Sequence, residues 1–317
     1  MILFLRICRN TLINSSKSQA SPARNEGTDI PRFIHDIRAP GEQKMTNNNK
    51  KIEIKNISLT YEGSGTVFQA LKDVSLTIND GEFVSIIGSS GCGKSTLLSI
   101  LEGLRTPSAG EVLIDGKKIE GTGRDRGVVF QQYALFPWMT AEKNISFGIK
   151  QVKPELSKKE RLELSNQFLS KVGLSGAKDK YPRDLSGGMQ QRVAIARALA
   201  MDTDILLMDE PFGAVDAKTR VILQELLLHL WEGDGTSRKK TVVFVTHDID
   251  EAILLSDRII MMRANPGRVY QEIPVNLERP RSRSELVKSR EYSAVRNEIM
   301  SLFFGDIKDQ IDQEAVI

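Results

Sequence analysis

Cysteine is nearly absent. The chain of 317 residues has two, Cys8 and Cys92. They are too few and too far apart for a disulfide framework or a zinc site, which fits a reducing compartment. Long apolar runs are missing as well: none approaches the roughly 20 residues that a membrane span requires, so any membrane association has to come through a partner. Nor is there a strong excess of one charge. Lys plus Arg number 44 against 41 Asp plus Glu, and the seven basic and four acidic residues of segment 1–44 carry that surplus. The rest of the chain is neutral on balance, with no field to hold a nucleic acid. What remains is an ordinary globular composition, 40% hydrophobic and 27% charged, enough to bury one large core.

The opening "MILFLRICRN" is interrupted by Arg6 and is too short and badly flanked for a signal peptide. Residues 1–48 show no hydrophobic period and read as a disordered leader or a start placed too early, since "MTNNNKKIEIKNISL" at Met45 resembles a natural beginning. From Lys51 the pattern is β. "KIEIKNISLTY" and "LKDVSLTI" alternate apolar and polar residues, and "GEFVSIIG" is a short continuous run of the kind buried on both faces. A hairpin-like "GEVLIDGKKI" and a strand "GVVFQQ" follow. The segment from about Ala141 to Gly173 then reads as helical. Two further buried strands, "DILLMDE" and "TVVFVTH", each lead into a helical pattern, which indicates an α/β layer with a mainly parallel sheet. We expect an α/β domain over residues 49–275 with a helical subdomain at about 133–190. A linker and a tail helix over 276–317 complete the chain, the helix packing through Tyr292, Val295, Ile299, Leu302 and Phe303.

Three clusters carry chemistry. In "SIIGSSGCGKSTLL" the residues Gly88, Gly93, Lys94 and Ser95 match G-x-x-x-x-G-K-[ST], between a buried strand and an apolar helix. Glycines permit close backbone approach, and the N–H groups of the loop and helix start then converge on phosphate oxygens. The loop residues Ser89, Ser90, Gly91 and Cys92, with Thr96 after them, belong to the same cradle. Lys94 reaches the terminal phosphates and Ser95 ligates Mg²⁺. The loop is a nucleotide site, and Cys92 beside Lys94 at a helix start is expected to ionise readily. Next, "ILLMDEP" places Asp209 and Glu210 at the end of a buried strand, where open α/β sheets collect their ligands. Asp209 suits the Mg²⁺ shell, and Glu210 the activation of a water at the γ-phosphate; a lone acidic pair of this kind also commonly caps the next helix. Last, "LSGGMQQRVAIARALA" starts a helix with Ser186 as N-cap and then Gly187 and Gly188, with Met189, Val193, Ala196 and Ala200 on the buried face. Glycines there cost stability unless their N–H groups meet a ligand, so this is a second phosphate-binding helix end.

The last cluster resembles the signature of the ATP-binding cassette (ABC) ATPases, and the resemblance extends from Lys51 to about Ile273. It implies the P-loop NTPase core of that family: a mainly parallel sheet with helices on both faces, an antiparallel β subdomain and an inserted helical subdomain. It implies that Tyr61 stacks on adenine, although a strand aromatic is often nothing more, and that Gln131 touches Mg²⁺ and the attacking water. It further implies that Asp216 lies in a loop crossing a dimer interface and that His247 is the switch residue at the γ-phosphate. Two copies are expected to associate head to tail. Each ATP then lies between the P-loop of one and Ser186, Gly187, Gly188 and Asp216 of the other.

Within the family, the short core, "VFQQYALFPWMTAEKNISFG" and "MMRANPGRVYQEIPVNLERPR" resemble the subunits of importers for nitrate, sulfonates and taurine. That implies an ATPase at the cytoplasmic face of the membrane, attached to permease subunits and served indirectly by an extracytoplasmic solute-binding protein. Phe136, Pro137 and Trp138 would meet a short permease helix. The competing readings are an exporting or lipid-handling ABC transporter and a soluble ABC protein acting on nucleic acid. The second lacks support, because the chain has neither two cassettes nor a long coiled coil.

Overall fold

The protein is described by a computed structural model covering residues 50–63, 66–232 and 239–314. The leader assigned to residues 1–48 lies outside the described residues. Two sheets form the frame. The antiparallel one runs β2–β1–β4–β5, from strands β1 (Lys50–Gly63), β2 (Thr66–Asn79), β4 (Ala109–Ile114) and β5 (Lys117–Lys118). The other runs β10–β9–β3–β8–β7–β6, with β3 (Phe83–Gly88), β6 (Arg126–Val129), β7 (Ile205–Asp209), β8 (Thr241–Val245), β9 (Arg258–Arg263) and β10 (Arg268–Pro274). Its pairings are parallel except for β10 on β9.

The continuous apolar runs make sense because this sheet is covered on both faces. Successive side chains of a strand point to opposite faces. Phe83 and Ile87 of β3, Leu206 and Met208 of β7, and Val242 and Phe244 of β8 enter one core. Val84 and Ile86, Ile205 and Leu207, and Val243 and Val245 enter the other. The first core is closed by α4 (Gly187–Met201), α5 (Ala217–Glu232), α6 (Ile249–Leu255) and the tail helix α8 (Arg290–Glu314). Phe83 stands at its centre, with its ring 5.6 Å from Trp231 and 5.9 Å from Phe244. The second core holds α1 (Lys94–Leu101) between the two sheets, sealed by Ile52, Ile54 and Ile57 of β1 and by Val74, Leu76 and Ile78 of β2. Each such side chain contributes about 1.5–3 kcal/mol by leaving water, so the hairpin sheet is part of what fixes α1 in place.

Between β6 and β7 the chain forms α2 (Ala141–Val152), α3 (Lys158–Lys171) and α4. Thr140 caps α2, and Ser157 with Glu160 forms a capping box on α3. Gly148 lets α2 close onto α4, since a Cβ there would lie 2.8 Å from Cγ of Arg197. Two expectations need adjustment. The strand read as "GVVFQQ" ends at Val129, which releases Gln131 toward the site. In α4, Met189 is only half-buried, whereas Val193 to Ala200 are buried all round, because this helix is enclosed by neighbours instead of lying on a surface. The tail helix packs as its period predicts: Tyr292 and Ile299 are buried, and Val295, Leu302 and Phe303 are packed partly against the same core. A short helix, α7 (Arg283–Leu286), precedes it.

Candidate active site

Strands β3, β8 and β7 are neighbours and parallel, so their carboxyl ends deliver Gly88, His247, Asp209 and Glu210 to one edge of the sheet. The loop after β3 turns tightly into α1. Gly88 and Gly93 have φ of 152° and 95°, and a Cβ on Gly88 would sit 2.4 Å from the Met262 carbonyl oxygen. Helix α1 has no side-chain cap, which leaves N–H groups of its first turn without a side-chain acceptor. Lys94 is buried, and its Nζ donates to the carbonyls of Gly88 at 2.8 Å and Ser89 at 3.0 Å. The Ser89 hydroxyl is buried with no partner among the described residues. An orphaned donor, a buried ammonium and an uncapped helix start together fit a polyphosphate.

Ser95 Oγ donates to Asp209 Oδ1 at 3.2 Å. Hydroxyl and carboxylate oxygens are the donor set that Mg²⁺ prefers. Among the described residues no group of three or more His, Cys, Asp and Glu side chains is placed to hold a metal. Burial raises the Asp209 carboxyl above its ordinary value and the charge of Glu210 adds to this, while the Ser95 bond and Lys94 oppose it.

Glu210 has a left-handed backbone, with φ of 45°, a costly state for a side chain of this length that clusters at functional sites. Its N–H donates to the Val245 carbonyl at 3.0 Å. One carboxylate oxygen accepts from Gln131 Nε2 at 3.1 Å, and the other lies 3.6 Å from His247 Nδ1. The acid is therefore held between an amide and an imidazole from two other elements. On the far side of α1, Tyr61 brings its hydroxyl to 3.5 Å from Thr96 Oγ1, and its ring lies 5.0 Å from the Arg105 guanidinium.

Ser186, Gly187, Gly188 and Asp216 are arranged differently. Ser186 caps α4 by accepting from the Met189 N–H at 3.3 Å. A Cβ on Gly187 would lie 2.8 Å from the Tyr133 hydroxyl, and Gly188 faces Val215. Asp216 accepts from the Thr219 N–H at 3.0 Å. None of these partners belongs to the P-loop.

The expectation for Cys92 is overturned. Its side chain is fully buried, and burial pushes the thiol up although Lys94 lies 3.7 Å away. Desolvation of a thiolate outweighs one nearby cation, so this cysteine is a packing residue. The sequence reading also passed over two residues. Gln191, on the enclosed side of α4, donates to the carbonyl of Pro211, directly after Glu210; flanked by Gln190 and Arg192, it carried no distinct signal in the sequence. Glu102 ends α1 and is buried, and burial with the charge of Asp209 pushes its carboxyl up to about 8.

Comparisons with known proteins agree with this geometry. A family model described as ABC transporter matches residues 71–213. The chain is 47% identical over 261 residues to an uncharacterized ABC transporter ATP-binding protein, MJ0412, of Methanocaldococcus jannaschii, covering 82% of this chain and 92% of that protein. It is 44% identical over 238 residues to the nitrate import ATP-binding protein NrtD of Synechococcus elongatus, covering 75% and 85%. Among solved structures, the dimeric post-hydrolysis state of the ATP-binding cassette MJ0796 bound to ADP and Pi matches with a TM-score of 0.65 at 41% identity. That match covers 72% of this chain and all of the other. With its P-loop, acidic strand end and capped signature helix brought into one frame, the chain belongs to the ABC transporter family and is an ATPase of the P-loop type.

Proposed function

We propose that this ATPase powers the import of a small oxyanion, of the nitrate, sulfonate or taurine kind, through a membrane permease. The observation that carries the catalytic part is the meeting of Gln131, Glu210 and His247 beside the Ser95–Asp209 pair, at 3.1, 3.6 and 3.2 Å. ATP supplies the phosphoanhydride bond, and Mg²⁺ offsets its charge. Lys94, Ser89, Ser90, Thr96 and the loop N–H groups bind the phosphates, and Tyr61 stacks on the base. Ser95, Asp209 and Gln131 hold the metal. Glu210 takes a proton from the attacking water, oriented by Gln131, and His247 touches the terminal phosphate.

The capped start of α4 offers its outward face to a second copy, so that Ser186, Gly187, Gly188 and Asp216 complete the facing site. Closing and opening of this pair drives the permease. The segment at about 133–190 is the docking face, where Trp138 is 59% exposed and its ring lies 5.8 Å from that of Phe136. No helix among the described residues is long and apolar enough to cross a membrane; attachment at the cytoplasmic face rests on the likeness to an import ATP-binding protein. The solute class rests on the likeness to NrtD.

The test is purification of the tagged chain from membranes of its own host, identification of co-purifying proteins, and uptake of labelled nitrate and taurine by vesicles containing the complex. ATP-dependent accumulation of either anion supports the reading. A complex that expels lipid or drug, or a chain that co-purifies with ribosomes, would replace it.

A further inference from the structure

The loop that carries His247 is held by a chain of buried polar groups which the catalytic assignments leave without a purpose. Thr246, Gln224 and Glu251 are buried at 2%, 0% and 4% exposure. Buried polar groups are stable only when their hydrogen bonds are complete, and here the orientation of the Gln224 amide is set by its two neighbours. A guanidinium can only donate, so Arg283 takes the Oε1 of Gln224. That turns Gln224 Nε2 toward Glu251 Oε1, at 2.7 Å. The other oxygen of Glu251 accepts the Thr246 hydroxyl at 2.6 Å. With its proton committed, that hydroxyl accepts from the backbone N–H of Asp248 at 3.0 Å. A reversed Gln224 amide would set donors against Arg283 and an oxygen against Glu251, so one arrangement survives. Its last two members, Thr246 and Asp248, flank His247.

The same segment grips α6 in two more places. Asp250, in the first turn, accepts from Tyr292 Oη at 2.6 Å and Arg296 Nε at 2.8 Å. At the other end of α6, buried Arg281 donates to the carbonyls of Ile253 at 2.9 Å and Ser256 at 2.6 Å. The helix that begins just after His247 is thus fastened to the C-terminal segment at both ends.

We propose that the segment from Arg281 to Arg296 is a positioning element for the switch histidine, with Arg283 as the positioning residue that orients the Gln224 amide and through it holds in place the Glu251 carboxyl on which Thr246 rests. This rests on the reading of His247 as a group acting at the terminal phosphate. Displacing the imidazole by a fraction of an ångström to 1 Å would impair hydrolysis, whereas nucleotide held by the P-loop would be unaffected.

The experiment uses the full chain, with Arg283→Met to remove the donors but keep the stem, Arg283→Lys to restore a donor, and His247→Ala as reference. Arg283→Met is expected to lower kcat by about tenfold or more, in line with the cost of misplacing a catalytic group, with ADP affinity unchanged and recovery in Arg283→Lys. The chain has three histidines, so ring signals can be followed one by one in NMR spectra. The signal of His247 should move in Arg283→Met while that of His229 stays. Should Arg283→Met fail to fold, Thr246→Val against Thr246→Ser puts the same question at the other end of the chain. An unmoved His247 signal overturns the inference, as does unchanged turnover. Wild-type turnover in His247→Ala would instead overturn the role of the histidine itself.

Discussion

Helix α1 begins behind Gly91 and Gly93 and ends on the buried acid Glu102; helix α4 begins on Gly187 and Gly188 and ends on the exposed acid Asp202. Their polar ends are handled in opposite ways. At α1 no side chain caps the start, and Lys94 is folded back on loop carbonyls. At α4 the Ser186 hydroxyl supplies the missing acceptor. At the far ends, nothing among the described residues offsets Glu102, whereas Asp202 accepts from Lys240 at 2.6 Å and Lys153 at 3.0 Å. Helix α4 satisfies itself. Helix α1 is left incomplete at its start, where an anion would satisfy it, and ends on an acid whose ionised form the helix dipole disfavours. That contrast matches a division in which α1 serves the ATP of its own chain and α4 offers a finished surface to another.

The contrast breaks most sharply at Glu210. Glu210→Gln keeps the shape and the contact with Gln131 but removes the base. Turnover should fall by about 10²–10⁴-fold, with ATP still bound. The unhydrolysed nucleotide should then hold two copies together through the α4 start. We expect an ATP-dependent dimer on size exclusion, absent when Ser186→Arg is added. A protein that stays monomeric with saturating Mg-ATP would show that α4 does not serve a facing site.

Lys94→Ala tests the α1 side alone. It removes the buried ammonium, and charge-assisted bonds are worth about 1.5–3 kcal/mol each, so ATP affinity measured by calorimetry should drop by roughly tenfold to a hundredfold or more. Thermal stability without nucleotide should change far less, because the hydrogen bonds of the lysine stay within its own loop, to the Gly88 and Ser89 carbonyls and the Cys92 sulfur.

The mainly parallel α/β layer was legible because β3, β7 and β8 are apolar on both faces, and the P-loop because glycines interrupt such runs only for a reason; the order β10–β9–β3–β8–β7–β6 was not. Glu210 could be picked out, but not its left-handed backbone, which comes from a turn closed by the Val245 carbonyl and by Gly213 donating to its own. Cys92 was misread because its neighbour Lys94 is visible in the sequence and the packing of β2 and β9 around it is not. Glu102 was invisible for a related reason. In "LLSILEGL" it reads as a solvated helix end, and only the packing of α1 in the second core makes it interior. The hydrogen bonds from Arg283 to Thr246 link residues 37 positions apart in sequence through α5, and no local pattern encodes them.

A smaller effect is expected at Ser186. Ser186→Ala removes the cap acceptor and should cost about 1 kcal/mol of stability, read as a lowered denaturation midpoint with an unchanged denaturant slope. ATP binding to the isolated monomer should be unaffected, since the Ser186 hydroxyl is engaged with the Met189 N–H of its own helix. A lost monomer affinity would mean that the two helix starts are coupled within one chain.

The two helix ends give the finest comparison, because their acids titrate in opposite senses. Burial and the charge of Asp209 raise Glu102 from an ordinary 4.5 to about 8, so folding favours its proton. Its contribution is complete below the ordinary value and is lost as pH rises through the raised one. Asp202 is the reverse. Burial works against its charge, but Lys240 and Lys153 outweigh it and hold the carboxyl below the ordinary 3.8. That contribution is present above the ordinary value and is lost as pH falls through the lowered one. Glu102→Gln should therefore gain stability over the wild type between about pH 5 and about pH 9. Asp202→Asn should be less stable than the wild type at neutral pH and approach it in acid. Its left-handed backbone, φ 57°, is one that asparagine also adopts readily, so the charge is what changes. Thermal midpoints of nucleotide-free protein across pH would decide. Parallel curves for all three proteins, or a Glu102→Gln protein that loses ground toward alkaline pH, would show that α1 does not end on a strained acid.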